Sequence, residues 1–162
     1  MDRPSISQIQ DAFAEPLEAF VRESNVRLAV LINRAGQVLA QYGFDKVFDL
    51  VGVASLAAGI NASSRALANQ LGEERFEHLH HAGPARQLFL GHFESAAGQL
   101  MLVTVFDQRS SIGLVRLFFE RFVSQLRQLP SMDASRSAVS GTDFEAELET
   151  SLDRFFQDLV SG

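Results

Sequence analysis

Cysteine is absent from this chain, which excludes disulfides and thiolate metal sites and is compatible with a reducing compartment. Histidine is scarce: His78, His80, His81 and His92 are the whole set. On a strand, His78 and His80 share a face and His81 points away, so only two ring nitrogens converge and no third ligand is fixed. No metal and no cofactor is expected. The glycines stand singly in turns and helix ends, and no phosphate-cradling loop exists, so the chain is not itself a GTPase. Ser110 lacks a nucleophile elbow, which leaves Asp107 a capping or turn residue rather than a triad member. No unbroken apolar run approaches the roughly 18 residues that span a bilayer. The opening MDRPSISQIQD also lacks a basic stretch followed by an apolar core, so neither a membrane span nor a signal peptide is expected, and a cytoplasmic protein is the default. Nothing resembles a basic footprint for nucleic acid.

What the chain does have is apolar content of 46% over 162 residues, enough for one domain with a real core. Its formal net charge of −6 is concentrated at one end. Residues 142–162 set Arg154 against Asp143, Glu145, Glu147, Glu149, Asp153 and Asp158, leaving the body close to neutral.

Periodicity divides the chain into α-β-β-α-β-β-β-α. Residues 6–24 read as a helix whose Ile9, Phe13, Leu17, Phe20 and Val21 share a face, with Pro16 as its weak point. Residues 26–33 (VRLAVLIN) read as a strand buried on both faces, with 37–42 as its hairpin partner. Residues 75–82, 87–93 and 99–106 supply three more strands. Ser110 or Ser111 caps a helix reaching about residue 128, with Leu114, Leu117, Phe118, Phe122 and Leu126 as its stripe. Residues 129–141, rich in Ser, Pro and Gly, read as a flexible linker.

The long helix over residues 53–72 is the most telling segment. Val53, Leu56, Ile60, Leu67 and Leu71 form an apolar stripe at helical spacing and are expected to face the core. The opposite side carries Ser55, Ala58, Ala62, Arg65 and Asn69, flanked by Ala54 and Ala66. A solvated face normally carries Lys, Glu and Gln, so this small-residue side reads as one that a partner covers, against the plainer reading of alanine chosen for helix propensity. Arg65 invites comparison with an arginine finger, but a rim arginine pairing with an acidic partner is the commoner role, and the same holds for Arg109.

The tail is the second signal. Thr142 and Glu145 form a capping box. Phe144, Leu148, Leu152 (or Ser151), Phe155 and Leu159 form an apolar stripe that Phe156 and Val160 widen, with Asp and Glu opposite. Such a helix docks either on its own domain or in the groove of a partner.

Four segments resemble the Roadblock/dynein-light-chain family, and within it the bacterial MglB type that regulates the Ras-like GTPase MglA. They are VLINRAGQVLA (residues 30–40), ASLAAGINASSRALANQLGE (54–73), LVTVFDQRSSIGLVRL (102–117) and the acidic tail ending LDRFFQDLV. One departure is that Asn61 stands one place beyond the usual Ala-Gly-Asn, after Ala58-Gly59-Ile60. The resemblance implies an α+β sandwich, or Roadblock domain, over residues 1–128, with a five-stranded antiparallel sheet. It implies a homodimer joined through the third strand at Arg75, Phe76, His78 and His80, with long helices side by side. Ala58, Ala62 and Ala66, with Ser55, Arg65 and Asn69, then match a docking patch for a GTP-loaded small GTPase. The tail residues Phe144, Leu148, Phe155, Phe156 and Leu159 add a second contact to that partner. The regulator supplies no catalytic side chain; the GTPase's own residues do the chemistry. A scaffold of the same fold that tethers without stimulating, and a ligand-sensing domain, remain alternatives on these residues.

Overall fold

The computed structural model describes residues 6–43, 49–95 and 98–128, with Asp153, Arg154, residues 156–158 and Val160 of the tail. The expected linker 129–141 and the tail positions Phe144, Leu148, Phe155 and Leu159 lie outside the described residues.

Helix α1 (Ile6–Ser24) leads into strands β1 (Leu28–Asn33) and β2 (Val38–Gly43). Helix α2 (Leu50–Gln70) follows, then β3 (His78–Ala82), β4 (Gln87–Ser95), β5 (Gly98–Phe106) and α3 (Ile112–Gln128). The five strands form one sheet in the order β2-β1-β5-β4-β3, and its pairs are antiparallel. The expected element order and sheet are therefore present, with β2 and β3 at the edges.

Strand β1 is inside the sheet and buried on both faces, as its unbroken apolar run requires. Its Ala29 and Leu31 face a core formed by α1 and α3; Leu28, Val30 and Ile32 face α2. The α1–α3 side is aromatic. Phe13, Leu17 and Phe20 of α1 meet Phe122 and Leu126 of α3 over Phe89, Phe93, Leu100, Leu102 and Phe106 of the sheet. The helix runs through Pro16 without ending there.

One glycine permits a close approach on that side. A Cβ on Gly91 would lie 2.5 Å from Cζ of Phe119. The Phe119 ring cannot easily step back, because it packs edge-on against Phe89 at 5.3 Å and Phe93 at 6.3 Å. Gly91→Ala is expected to destabilise the fold by about 1–3 kcal/mol through overpacking, read from the midpoint of a denaturant titration.

Among the described residues, helix α2 lies alone on the other face. Asp49 caps it by accepting from Gly52 N–H at 3.2 Å. Its C-terminus closes with Glu73 N–H donating to Ala68 O (2.9 Å) and Gly72 N–H to Asn69 O (3.2 Å), with Gly72 at φ +80°. That is the Schellman pairing, which explains glycine at this position.

The side of α2 that meets the sheet differs from the sequence expectation. Ala54, Ala57, Asn61 and Ala68 are buried, whereas Leu56, Leu67 and Leu71 are 69%, 56% and 67% exposed. Small side chains let the helix axis sit close to the sheet, with Leu50, Val53 and Ile60 filling the margin as partly buried residues. The β1–β2 turn presses on the same helix: a Cβ on Gly36 would lie 3.1 Å from Cβ of Ala58 and 3.2 Å from the Ala54 carbonyl oxygen.

By length and composition α2 is also able to cross a bilayer, with 21 residues and a mean hydropathy of 1.2. The segment contains no unbroken apolar run: alanines and leucines scattered between Ser, Asn and Arg65 raise the average without forming one.

Candidate partner-docking surface

Helix α2 presents two different exposed flanks, roughly 120° apart at 100° per residue. The apolar flank carries Leu56, Ile60 and Leu67. With Ser63, Ser64 and His81 from β3, these residues line an open groove of about 530 Å³. Beside it runs the free edge of the sheet. Glu77 O accepts from His92 N–H at 3.4 Å, and Leu79 and His81 stand opposite Leu90 and Leu88. The alternation of an antiparallel ladder then turns the backbone N–H and C=O of His78, His80 and Ala82 toward the open edge.

The four residues expected at a subunit seam fall on or near this edge. Arg75 bonds Glu94 at 2.8 Å, and Phe76 is half-buried. The ring of His78 stacks on Phe89 at 5.8 Å and that of His80 on Phe106 at 6.0 Å. His81, on the other face, lines the groove, as strand alternation anticipates. The two stacked imidazoles thus lie over their own sheet, and β3 offers its backbone outward. Burial, then the Arg116 charge, holds His78 below its ordinary pKa. Burial, then Arg75 and Arg65, does the same for His92. No group of three or more His, Asp and Glu stands together to hold a metal among the described residues.

The small-residue flank is narrower than the sequence implies. Ala62, Ala66, Ser55 and Asn69 are exposed; Ala58 and Arg65 are half-buried. Ala58 sits against the Gly36 turn, so its size is already required within the domain. Arg65 donates from Nη1 to Oε1 of Gln99 at 3.0 Å, which fastens it to the start of β5. The Ser55 hydroxyl donates to Val51 O at 3.0 Å. Ala62 and Ala66 therefore form the open centre of this flank.

Leu56, Ser63, Ser64, Leu67 and His81 are groove residues outside the patches that sequence pattern marks. The three- and four-residue spacing of Leu56, Ile60 and Leu67 marks an apolar stripe, and such stripes usually face the core.

The FDQRSS run proves to be a latch between chain segments. Asp107 accepts from Arg27 Nη1 at 2.9 Å and from Arg109 N–H at 3.0 Å. Asn25, at φ 56°, donates from Nδ2 to Arg109 O at 2.8 Å. The Ser110 hydroxyl donates to Ser24 O, and Ser111 caps α3 by accepting from Leu114 N–H at 3.2 Å. The end of α1 and the start of α3 are thereby held together, which accounts for Asp107 as a turn residue. Arg109 stands outward beside Asp107.

The Arg109 backbone N–H, then the Arg27 guanidinium, lowers the pKa of Asp107 below 3.8. A lowered folded-state pKa contributes stability that is fully present above the unfolded value and is lost as pH falls through the folded one. Asp107→Asn should melt at a lower temperature than the native chain at pH 7. The two melting curves should converge as pH falls below 3.8.

Comparison with known proteins follows the same outline. The Roadblock/LC7 domain family matches residues 13–106. A gliding protein mglB from Thermus thermophilus is 34% identical, covers 77% of this chain and 91% of its own, and superposes with a TM-score of 0.67. An MglB structure with a tetrameric arrangement is 32% identical, with 78% and 91% covered and a TM-score of 0.67. Myxococcus xanthus MglB is 28% identical, with 70% and 90% covered and a TM-score of 0.64. No curated protein matches at comparable strength.

Proposed function

Because the chain belongs to the Roadblock/LC7 domain family, we propose that it is a homodimeric regulator that binds a GTP-loaded small Ras-like GTPase of the MglA type and stimulates its GTP hydrolysis. The observation that carries this reading is α2, a helix with two exposed flanks of different chemistry beside an open sheet edge. In this reading a second copy pairs along β3 and covers Leu56, Ile60 and Leu67. The two α2 helices then form a platform whose remaining exposed flank, centred on Ala62 and Ala66, receives the GTPase. Ser55, Ala58, Arg65 and Asn69 border that dock. The acidic tail residues Phe144, Leu148, Phe155, Phe156 and Leu159 reach the same GTPase away from the platform. The setting is cytoplasmic control of polarity or motility.

The chain brings no active site to the reaction. Arg65 is tied to Gln99, which leaves it poorly placed to act as a finger, and the four histidines do not assemble a base with a nucleophile. Stimulation then operates by positioning. A bound platform favours the GTPase conformation in which the GTPase's own arginine and water-orienting residue meet the γ-phosphate.

Co-purification with an MglA-like GTPase loaded with GTP or GDP analogues, followed by single-turnover hydrolysis, tests the reading. Preferential capture of the GTP-like state and faster turnover are expected. Capture without faster turnover would make the chain a tethering scaffold, and no capture would remove the GTPase altogether.

A further inference from the structure

The three helices differ in charge. Helix α1 sets Asp11, Glu15, Glu18 and Glu23 against Arg22, and α2 carries Arg65 alone. Helix α3 carries Arg116, Arg121 and Arg127 against Glu120. Its inner side, Val115, Phe122, Val123 and Leu126, is buried. Its outer side repeats Leu114, Leu117, Phe118 and Arg121 at three- and four-residue spacing. Leu117 is 50% exposed, and Leu114 and Phe118 are half-buried. The Arg121 guanidinium lies 5.3 Å over the Phe118 ring. On the other flank Arg116 borders a cleft of about 230 Å³ that runs toward His78 and Phe119. The result is an apolar ridge that carries the Arg121 guanidinium, with Arg116 and Arg127 together on one adjoining flank, a surface that fits an acidic amphipathic helix.

The sequence of the tail offers the matching pattern. Residues 142–162 hold six acids against one arginine, with an apolar stripe opposite. We propose that this tail docks on the outward face of α3 of its own chain. Its apolar stripe covers Leu117 and Leu114, and its carboxylates reach Arg121 on the ridge and Arg116 and Arg127 on the adjoining flank. Reach allows this. Helix α3 has 17 residues and so is about 26 Å long. The 13 residues between Gln128 and Thr142 span up to about 43 Å, so the tail can lie along α3 in either direction. Charge selects α3 over α1, whose acids would repel it. The docked tail is then stowed across the sheet from α2, leaving both α2 flanks open. Engagement of a partner by the tail competes with this stowed position. The contact needs no GTPase, so its test stands apart from that of the proposed function.

The absence of cysteine makes the full chain suitable for a double label. Ser124→Cys, exposed on α3, and Thr150→Cys, on the acidic side of the tail, would carry a donor and an acceptor. Energy transfer is measured in a large excess of unlabelled protein, which suppresses transfer between chains. High transfer is expected, and it should be lost in Leu117→Glu and in the double variant Arg116→Glu/Arg121→Glu. It should also decline as salt is raised on the otherwise native chain, where screening shortens the reach of the arginines. Exposed side chains are changed in each case, so unchanged melting would show that the domain is intact. Transfer that ignores both the variants and salt, or that occurs only between chains, would overturn the proposal.

Discussion

The double variant Leu56→Glu/Leu67→Glu should be a folded monomer at concentrations where the native chain sediments as a dimer. Both leucines are exposed on the isolated domain, so the fold loses little when they change. In the proposed pair, burying a leucine contributes about 1.5 kcal/mol, and two-fold symmetry counts each position twice. Removing both therefore weakens association by about 6 kcal/mol, on the order of 10⁴ in Kd. The added carboxylates would also lie close to those of the second copy. Analytical ultracentrifugation at a series of concentrations reads the result. Native mass with normal melting would show that the leucine flank is not the seam.

The second large effect concerns the opposite flank. Ala62→Arg/Ala66→Arg should leave the dimer mass unchanged and reduce GTPase binding by about 100-fold or more. Each guanidinium would enter a close-packed contact without a partner, and an uncompensated buried charge costs about 3–5 kcal/mol. Fluorescence anisotropy of a labelled nucleotide on the GTPase, together with hydrolysis rates, separates the outcomes. Full stimulation by this variant would disprove the dock. Dissociation into monomers would show that the small flank is the seam and exchange the roles of the two faces. Run together, the two double variants test whether the flanks of α2 are functionally independent.

Much of the fold was legible in local chemistry. The mostly apolar VRLAVLIN run announced a buried strand, the aromatic stripes of α1 and α3 announced the larger core, and Gly72 marked the end of α2, where its φ is indeed positive. What was not legible was which side of α2 faces inward. Periodicity gives the angle between stripes, not the direction of the sheet. The usual preference for burying large apolar groups favoured Leu56 and Leu67. Close helix–sheet approach instead buried alanine and Asn61, and left the leucines outside. In the FDQRSS run the turn role of Asp107 and the helix cap at Ser111 were legible; its bonds to residues 80 or more positions away, such as Asn25 with Arg109, were not, because no local pattern encodes them. For the candidate site, the small-residue pattern pointed to α2 and the family resemblance pointed to β3, which the structure places at a sheet edge. It could not assign the flanks.

Strand β3 is five residues long, and this brevity has a consequence for selectivity. Any extended peptide can hydrogen-bond to a free sheet edge, so a long edge would admit many unwanted neighbours. A short one offers an incoming strand too few backbone bonds to hold it. The adjoining leucines are likewise too small a patch to retain a stranger alone. Only a surface that satisfies both at once, strand against strand and helix against helix, gains enough from contact to stay. In the proposed pair the edge and the groove would then work as a two-key lock, in which neither key turns without the other.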